Sequence, residues 1–170
     1  MARPTGTEAG FGEHYIALAQ GNSAKEVAAN HAAEILEFYT NLPAEKKDHA
    51  YAEGKWTIIE LLQHLVDAER VFSYRAMRFA RKDATPLPGF DENTYTPASM
   101  AGERDFDTLK QEFAALRKAT DIFASTLSEE QLQRGGQSGG RYITANALVF
   151  IIYGHLLHHM NIIRERYLQA

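Results

Sequence analysis

The chain has 170 residues, 45% of them hydrophobic and 24% charged, a mix that excludes disordered, collagenous and low-complexity classes. That length predicts a single domain over 1–170, burying about 70% of the surface its unfolded chain would expose. Eighteen Lys and Arg against 22 Asp and Glu give a net charge of -4 with no basic run, and cysteine is absent. Nucleic acid and anionic membrane are therefore not expected partners, and thiolate metal sites, disulfides and a cysteine nucleophile are excluded.

A short segment, Phe11 to Ala19, reads as a turn or two of helix ahead of Gly21. Helix one is predicted from Ser23 to about Leu42. Asn22 or Ser23 caps it, Pro43 stops it, and Val27, Ile35, Leu36 and Phe38 mark its apolar stripe. Helix two opens on a capping box, Thr57 with Glu60, with Trp56 and Leu61 at the hydrophobic-staple positions. It carries Leu61, Leu62, Leu65, Val66, Phe72 and Met77 and runs to about Arg81.

A loop of about 20 residues follows, containing Pro86, Pro88, Gly89, Pro97 and Gly102. A loop of that length is functional or packed over something. Helix three is predicted from about Asp105 to Thr126, with Phe106, Leu109, Phe113, Leu116 and Phe123 on one face. Ser128 begins a further short turn, and the glycine-rich run from Gly135 to Gly140 reads as a flexible connection. Helix four runs from about Thr144 to the end, with Arg164 and Arg166 near its negative C-terminal end. No run alternates apolar and polar residues, so strands are not expected. Four long amphipathic helices and one long crossover predict an all-α, four-helix bundle.

The longest apolar run, Ala147 to Tyr153, is far shorter than the roughly 20 residues of a membrane span. The stretch Met1-Ala2-Arg3-Pro4-Thr5-Gly6 lacks the apolar core of a signal peptide. A cytoplasmic location is the expectation.

Helix four holds three histidines in five residues: His155, His158 and His159. His155 and His159 are one turn apart on the face that also carries Leu148, Ile152 and Ile162, which makes it the inward face. Imidazoles at i and i+4 can grip one metal ion. No glutamate lies between them, so the H-E-x-x-H motif is absent. His64, flanked by core leucines within helix two, is the candidate third ligand, because facing helices of a bundle supply ligands to its interior. Three histidines would leave positions open for water or substrate. The competing reading is that a core histidine simply hydrogen-bonds a carboxylate or a carbonyl. His158 sits about 60° round the helix, placed to orient a ligand, to meet a second copy of the chain, or to face water. His14, His31 and His49 do not cluster in sequence and are expected at the surface.

The segment Gly54-Lys55-Trp56-Thr57-Ile58-Ile59-Glu60-Leu61-Leu62-Gln63-His64-Leu65-Val66-Asp67-Ala68-Glu69 resembles the W-[ST]-x-x-E-x-x-x-H-L-x-D-x-E stretch of DinB-like, YfiT-related proteins. Gly154-His155-Leu156-Leu157-His158-His159 resembles the G-H-x-x-H-H stretch of their last helix, and Pro86 to Glu92 resembles a stretch common in them. The resemblance implies an up-down-down-up four-helix bundle, often a homodimer, with a divalent ion, zinc or nickel, on His64, His155 and His159. It implies an enzyme that activates a low-molecular-weight thiol for S-transfer, or water for hydrolysis, on a small-molecule substrate. A non-catalytic metal-binding or stress-response interaction module is the alternative. No catalytic residue is assigned. Glu60 and Asp67 are each placed to orient the His64 ring, although the capping box accounts for Glu60 and a pairing with Arg70 or Arg166 would account for Asp67. Tyr95 and Asp91 are candidates for the mouth of the site.

Overall fold

The computed structural model describes residues 1–83 and 85–169. Four long helices begin where short polar side chains stop the backbone's own first amides from going unbonded. The Ser23 hydroxyl accepts from the Glu26 amide (3.3 Å) at the head of α2, Ala24–Thr40, which follows a short α1, Glu13–Leu18. Thr57 opens α3, Ile58–Ala80, with the predicted capping box: its hydroxyl accepts from the Glu60 amide, and the Glu60 carboxylate accepts from the Thr57 amide at 2.8 Å. A short α4, Glu92–Ala98, precedes α5, Phe106–Ser125, where Asp105 accepts from the Thr108 amide at 2.7 Å. After α6, Glu129–Gln133, Thr144 accepts from the Ala147 amide at 3.1 Å and opens α7, Ala145–Ile162.

The long helices pack as a bundle in which α2 and α3 each lie against both α5 and α7. Tyr39 of α2 is fully buried and its hydroxyl donates to the Leu156 carbonyl of α7 at 2.7 Å, which ties the two helices together beside His155. Helix α7 departs from the predicted single inward stripe: 14 of its 18 residues are buried, so it is the enclosed helix of the bundle. By length and composition the stretch Ala145–Tyr167 could cross a membrane, but 78% of its apolar window is buried against the other elements. The end of helix four is a single wide π turn, Ile163–Tyr167, whose Tyr167 hydroxyl donates to the Trp56 carbonyl at 2.8 Å.

Two expectations fail in the connections. The run from Gly135 is an antiparallel hairpin, β1 Gly135–Ser138 and β2 Arg141–Thr144. Its signal lies in the turn and not in alternation: Gly139 and Gly140 both have positive φ, +56° and +79°, as a two-residue hairpin loop demands. The crossover between α3 and α5 is not a bare loop either. It contains α4 and a 3₁₀ turn at Ala101–Glu103, and it is pinned to the hairpin by Leu87, whose amide donates to the Gln137 carbonyl (3.0 Å) while its carbonyl accepts from the Gly139 amide (3.1 Å). Leu87 thereby seats the following Gly89 and Phe90 beside the hairpin tip.

Candidate metal centre

The site begins with one glycine. Gly154 interrupts the apolar sequence of α7, and a Cβ there would meet the Tyr15 carbonyl oxygen at 1.9 Å. Its missing side chain lets α1 cross α7 in direct backbone contact. Arg3 closes the far end of α1 by donating to the Ala19 and Gly21 carbonyls at 2.7 and 3.0 Å and to that of Ile16. The crossing sets the Tyr15 ring edge-on to His155, with centroids 5.2 Å apart, and brings His14 to His158.

The three predicted ligands meet. His155 Nε2 lies 3.1 Å from His64 Nε2 and 3.1 Å from His159 Nε2, and one ligand atom of each ring lies within 4.8 Å of the others. The group can hold a metal ion on two grounds. Two nitrogens bound to one ion at about 2.1 Å, roughly 90–110° apart, stand roughly 3.0–3.4 Å from each other. A neutral imidazole nitrogen, moreover, either donates or accepts along one in-plane direction. His155 Nε2 cannot satisfy both neighbours with that single direction, whereas one cation would accept all three lone pairs.

Burial keeps these rings uncharged. It pushes His64 down to about 4 and His159 down to about 3, the latter also through the nearby His64 and His158. His155, 5% exposed, is held well below the usual histidine range by burial first and by His159, His64 and His158 next. In the unfolded chain the same rings titrate near 6.5, so between about pH 6.5 and 4 the unfolded chain binds more protons than the native one. Native stability in chelator therefore falls as pH falls through that window, by at most about 1.4 kcal/mol per pH unit for each of the three rings. The expected result is a lower urea midpoint at pH 5 than at pH 7.5 in EDTA, with a shallower drop in a His155→Leu variant. Equal midpoints at the two pH values would contradict it.

The two carboxylates considered for orienting His64 are occupied elsewhere. Glu60 closes the capping box, and Asp67 accepts from Gln63 Nε2 at 3.0 Å and stands 4.0 Å from Arg70. Arg166, the other candidate for Asp67, donates to the Tyr51 hydroxyl instead. His64 rests on the Trp56 ring, with centroids 4.9 Å apart. His159 Nδ1 is buried without a partner among the described residues, so no acceptor fixes which nitrogen of that ring carries the proton.

The histidines form one wall of a cavity of about 490 Å³, the size of a small-molecule site. Asp91 and Tyr95 do not line it. Asp91 caps α4 through the Asn93 amide (2.9 Å), and Tyr95 packs at a tilt against Phe90 and faces a separate hollow beside Gln63 and Asp67. The rest of the lining comes from residues that the sequence did not assign to the site: Phe11 and Tyr15 from the N-terminal segment, Phe72 and Arg75 from α3, and Arg141 from the hairpin. His158 belongs to this lining as well, its Nδ1 3.2 Å from Nε2 of the exposed His14, so His14 does cluster despite its distance in sequence. The one sequence signal for that contact was the isolated glycine in α7, which marks a close backbone approach.

A helical bundle with an internal cluster of three histidines at the wall of a cavity is the class that fold and site define. Residues 29–163 match the DinB superfamily, and the chain belongs to it. Its fold is similar to that of YfiT from Bacillus subtilis, a probable metal-dependent hydrolase with an unusual four-helix bundle topology, with a TM-score of 0.67 and 18% identity over 86% of this chain and 88% of that one. It is also similar to a DinB-like protein, YjoA, from the same organism, with a TM-score of 0.56 and 18% identity over 88% and 86% of the two chains. No functionally curated protein matches the chain in sequence.

Proposed function

We propose that this protein is a metal-dependent enzyme of the hydrolase type, with one divalent cation on His64, His155 and His159 and a small organic substrate in the cavity beside it. The observation that carries the reading is the convergence of three Nε2 atoms, those of buried His64 and His155 and half-buried His159, on the wall of an open cavity. The fold likeness to YfiT, a probable metal-dependent hydrolase, supports it. Zinc and nickel both suit three imidazoles. When bound, such an ion supplies Lewis acidity and brings the pKa of a water or a thiol towards neutrality.

The chain's own residues supply the rest. Burial leaves the ligand lone pairs unprotonated at pH 7, and Trp56 and Phe72, which share the cavity lining, pack against His64 and His155 and hold their rings in place. His158 lines the same cavity, its ring centroid 5.0 Å from that of His159, and is the group we assign to take a proton from the nucleophile. Its Nδ1 contact with exposed His14 gives that proton a way out to solvent.

Transfer of a low-molecular-weight thiol is the second reading. The chain has no cysteine, so the thiol would arrive as a cosubstrate in the same cavity. The up-down-down-up path fits a bundle in which α2 and α3 each pack on α5 and α7 after a long crossover. A cytoplasmic protein with no nucleic-acid or membrane partner fits the net charge of -4 and the enclosure of α7, and a homodimer is proposed on the resemblance to the DinB superfamily alone.

The test strips the protein with chelator, titrates zinc and nickel by calorimetry, and then assays esters, amides and phosphoesters with and without small thiols. The expected result is about one ion per chain and turnover only in the loaded form. Turnover that requires a thiol selects S-transfer. A bound ion without turnover on any compound selects the non-catalytic module, and failure to bind either ion overturns the metal reading.

A further inference from the structure

The cavity contains a cation with no carboxylate in salt-bridge contact among the described residues. Arg75 is 4% exposed, yet it forms no ion pair with any carboxylate among the described residues. Its Nη2 donates to the Pro88 carbonyl at 2.8 Å and its guanidinium lies over the Phe90 ring, 5.6 Å from the centroid. An arginine stays charged at any ordinary pH, and a buried charge is normally paired. The contrast within this protein is direct, because its other arginine of like burial, Arg117, contacts two carboxylates, Glu69 and Asp121. Arg75 instead lines the cavity, with Arg141 at the rim and Glu92 as the one acidic residue of the lining. Both of these are exposed, so water screens them more than it screens Arg75.

We propose that Arg75 is a substrate-binding residue that receives a carboxylate, and that the substrate is a small apolar carboxylate whose reacting bond lies towards the three histidines. This inference rests on the cavity being the substrate site, as proposed above. The planar guanidinium presents paired donors that match a carboxylate. Eleven residues separate His64 from Arg75 in α3, close to three full turns, so both project from the same face, with a rise of roughly 16 Å between their backbones. Helical side chains lean towards the N-terminus, which draws the guanidinium back towards the histidines. Phe72 bridges the two ends: its ring contacts His155 at 5.7 Å and Phe90 at 6.1 Å. A substrate with an apolar middle and an anionic end fits this order of groups, and the charged end is separated from the bond that reacts.

The test uses 3-phenylpropionate and its neutral amide, 3-phenylpropanamide, as probes. Both are titrated by NMR into metal-loaded and chelator-stripped protein, and into Arg75→Met and Arg75→Lys variants whose melting is checked first. The expected result is about 10-fold or more tighter binding of the acid than of the amide, in both loaded and stripped protein. Arg75→Met abolishes that preference without changing metal content, and Arg75→Lys restores part of it. Equal binding of acid and amide by the wild-type protein overturns the proposal, and that comparison does not depend on any variant folding. A preference that needs the metal and survives Arg75→Met also overturns it, since the ion would then hold the carboxylate. Failure of both probes to bind overturns it too. A chain that binds no metal at all but still prefers the acid through Arg75 would refute the metal reading and leave this one standing.

Discussion

Replacing His155 by alanine is expected to remove the bound metal and all activity that depends on it. His155 is the middle one of the three proposed ligands, 3.1 Å from each of the other two, so its loss leaves a pair, His64 and His159, with ring centroids 5.1 Å apart and no third nitrogen between them. Changing a mere partner of a ligand costs about 10–100-fold in affinity, and the loss of a ligand exceeds that. Elemental analysis of untagged protein and a zinc titration read the result. His14→Ala and His158→Ala serve as contrasts: both histidines sit outside the cluster, so metal content holds while any proton transfer through His158 slows. Full metal content in His155→Ala would return the three histidines to ordinary core residues. Among the described residues the hydrogen-bonding contacts of the three rings run between the rings themselves, with neither a carboxylate nor a backbone carbonyl as partner.

Breaking the buried ion pair between α3 and α5 is expected to produce the largest loss of stability. Arg117, 1% exposed, donates to Glu69, 2% exposed, at 2.8 Å, and it also contacts Asp121 and the face of Tyr153. Burial pushes the Glu69 carboxyl up while Arg117 opposes it, and Glu69 Oε2 has no hydrogen-bond partner among the described residues. Removing one member of such a pair costs about 3–5 kcal/mol, because the other charge is left buried and unpaired. Arg117→Met should cost most, since Glu69 has no second cation among the described residues, and melting should fall by roughly 10 °C. Glu69→Leu should cost less, because Asp121 still holds Arg117. The double variant Glu69→Leu, Arg117→Met should recover most of the loss, as apolar replacements of buried pairs commonly do. Urea unfolding of the four proteins checks this. A double variant as unstable as the sum of the singles would show that the charges are worth more than their packing volume.

The same ion pair shows where reading a sequence succeeds and where it stops. Glu69 was legible as part of a recurring segment, but its partner lies 48 residues away on another helix. No local pattern announces which of several arginines will be drawn inside. His14 illustrates the same limit: its partner His158 is 144 residues distant, and only the close crossing at Gly154 brings them together. The hairpin was missed for a different reason. Strand prediction reads alternating apolar side chains, and β1 consists of glycines, a glutamine and a serine. Gly136 is held there by the Phe79 ring, which a Cβ would meet at 2.5 Å, a tertiary contact with no sequence period.

By itself the sequence determined the helices and singled out the three histidines that cluster. Capping residues, periodic leucines and proline stops act within one or two turns, so the four long helices start and end within a few residues of their predicted bounds. His155 and His159 share a face because 3.6 residues make a turn, a local fact, and the apolar flanks of His64 place it inside. Tertiary structure alone decided what surrounds them. The crossing of α1 over α7, the pinning of the crossover to the hairpin at Leu87, and the choice of Arg75 as the unpaired cation all depend on contacts between distant segments. Such contacts are selected by shape and by the cost of burying charge, both of which exist only once the chain has folded.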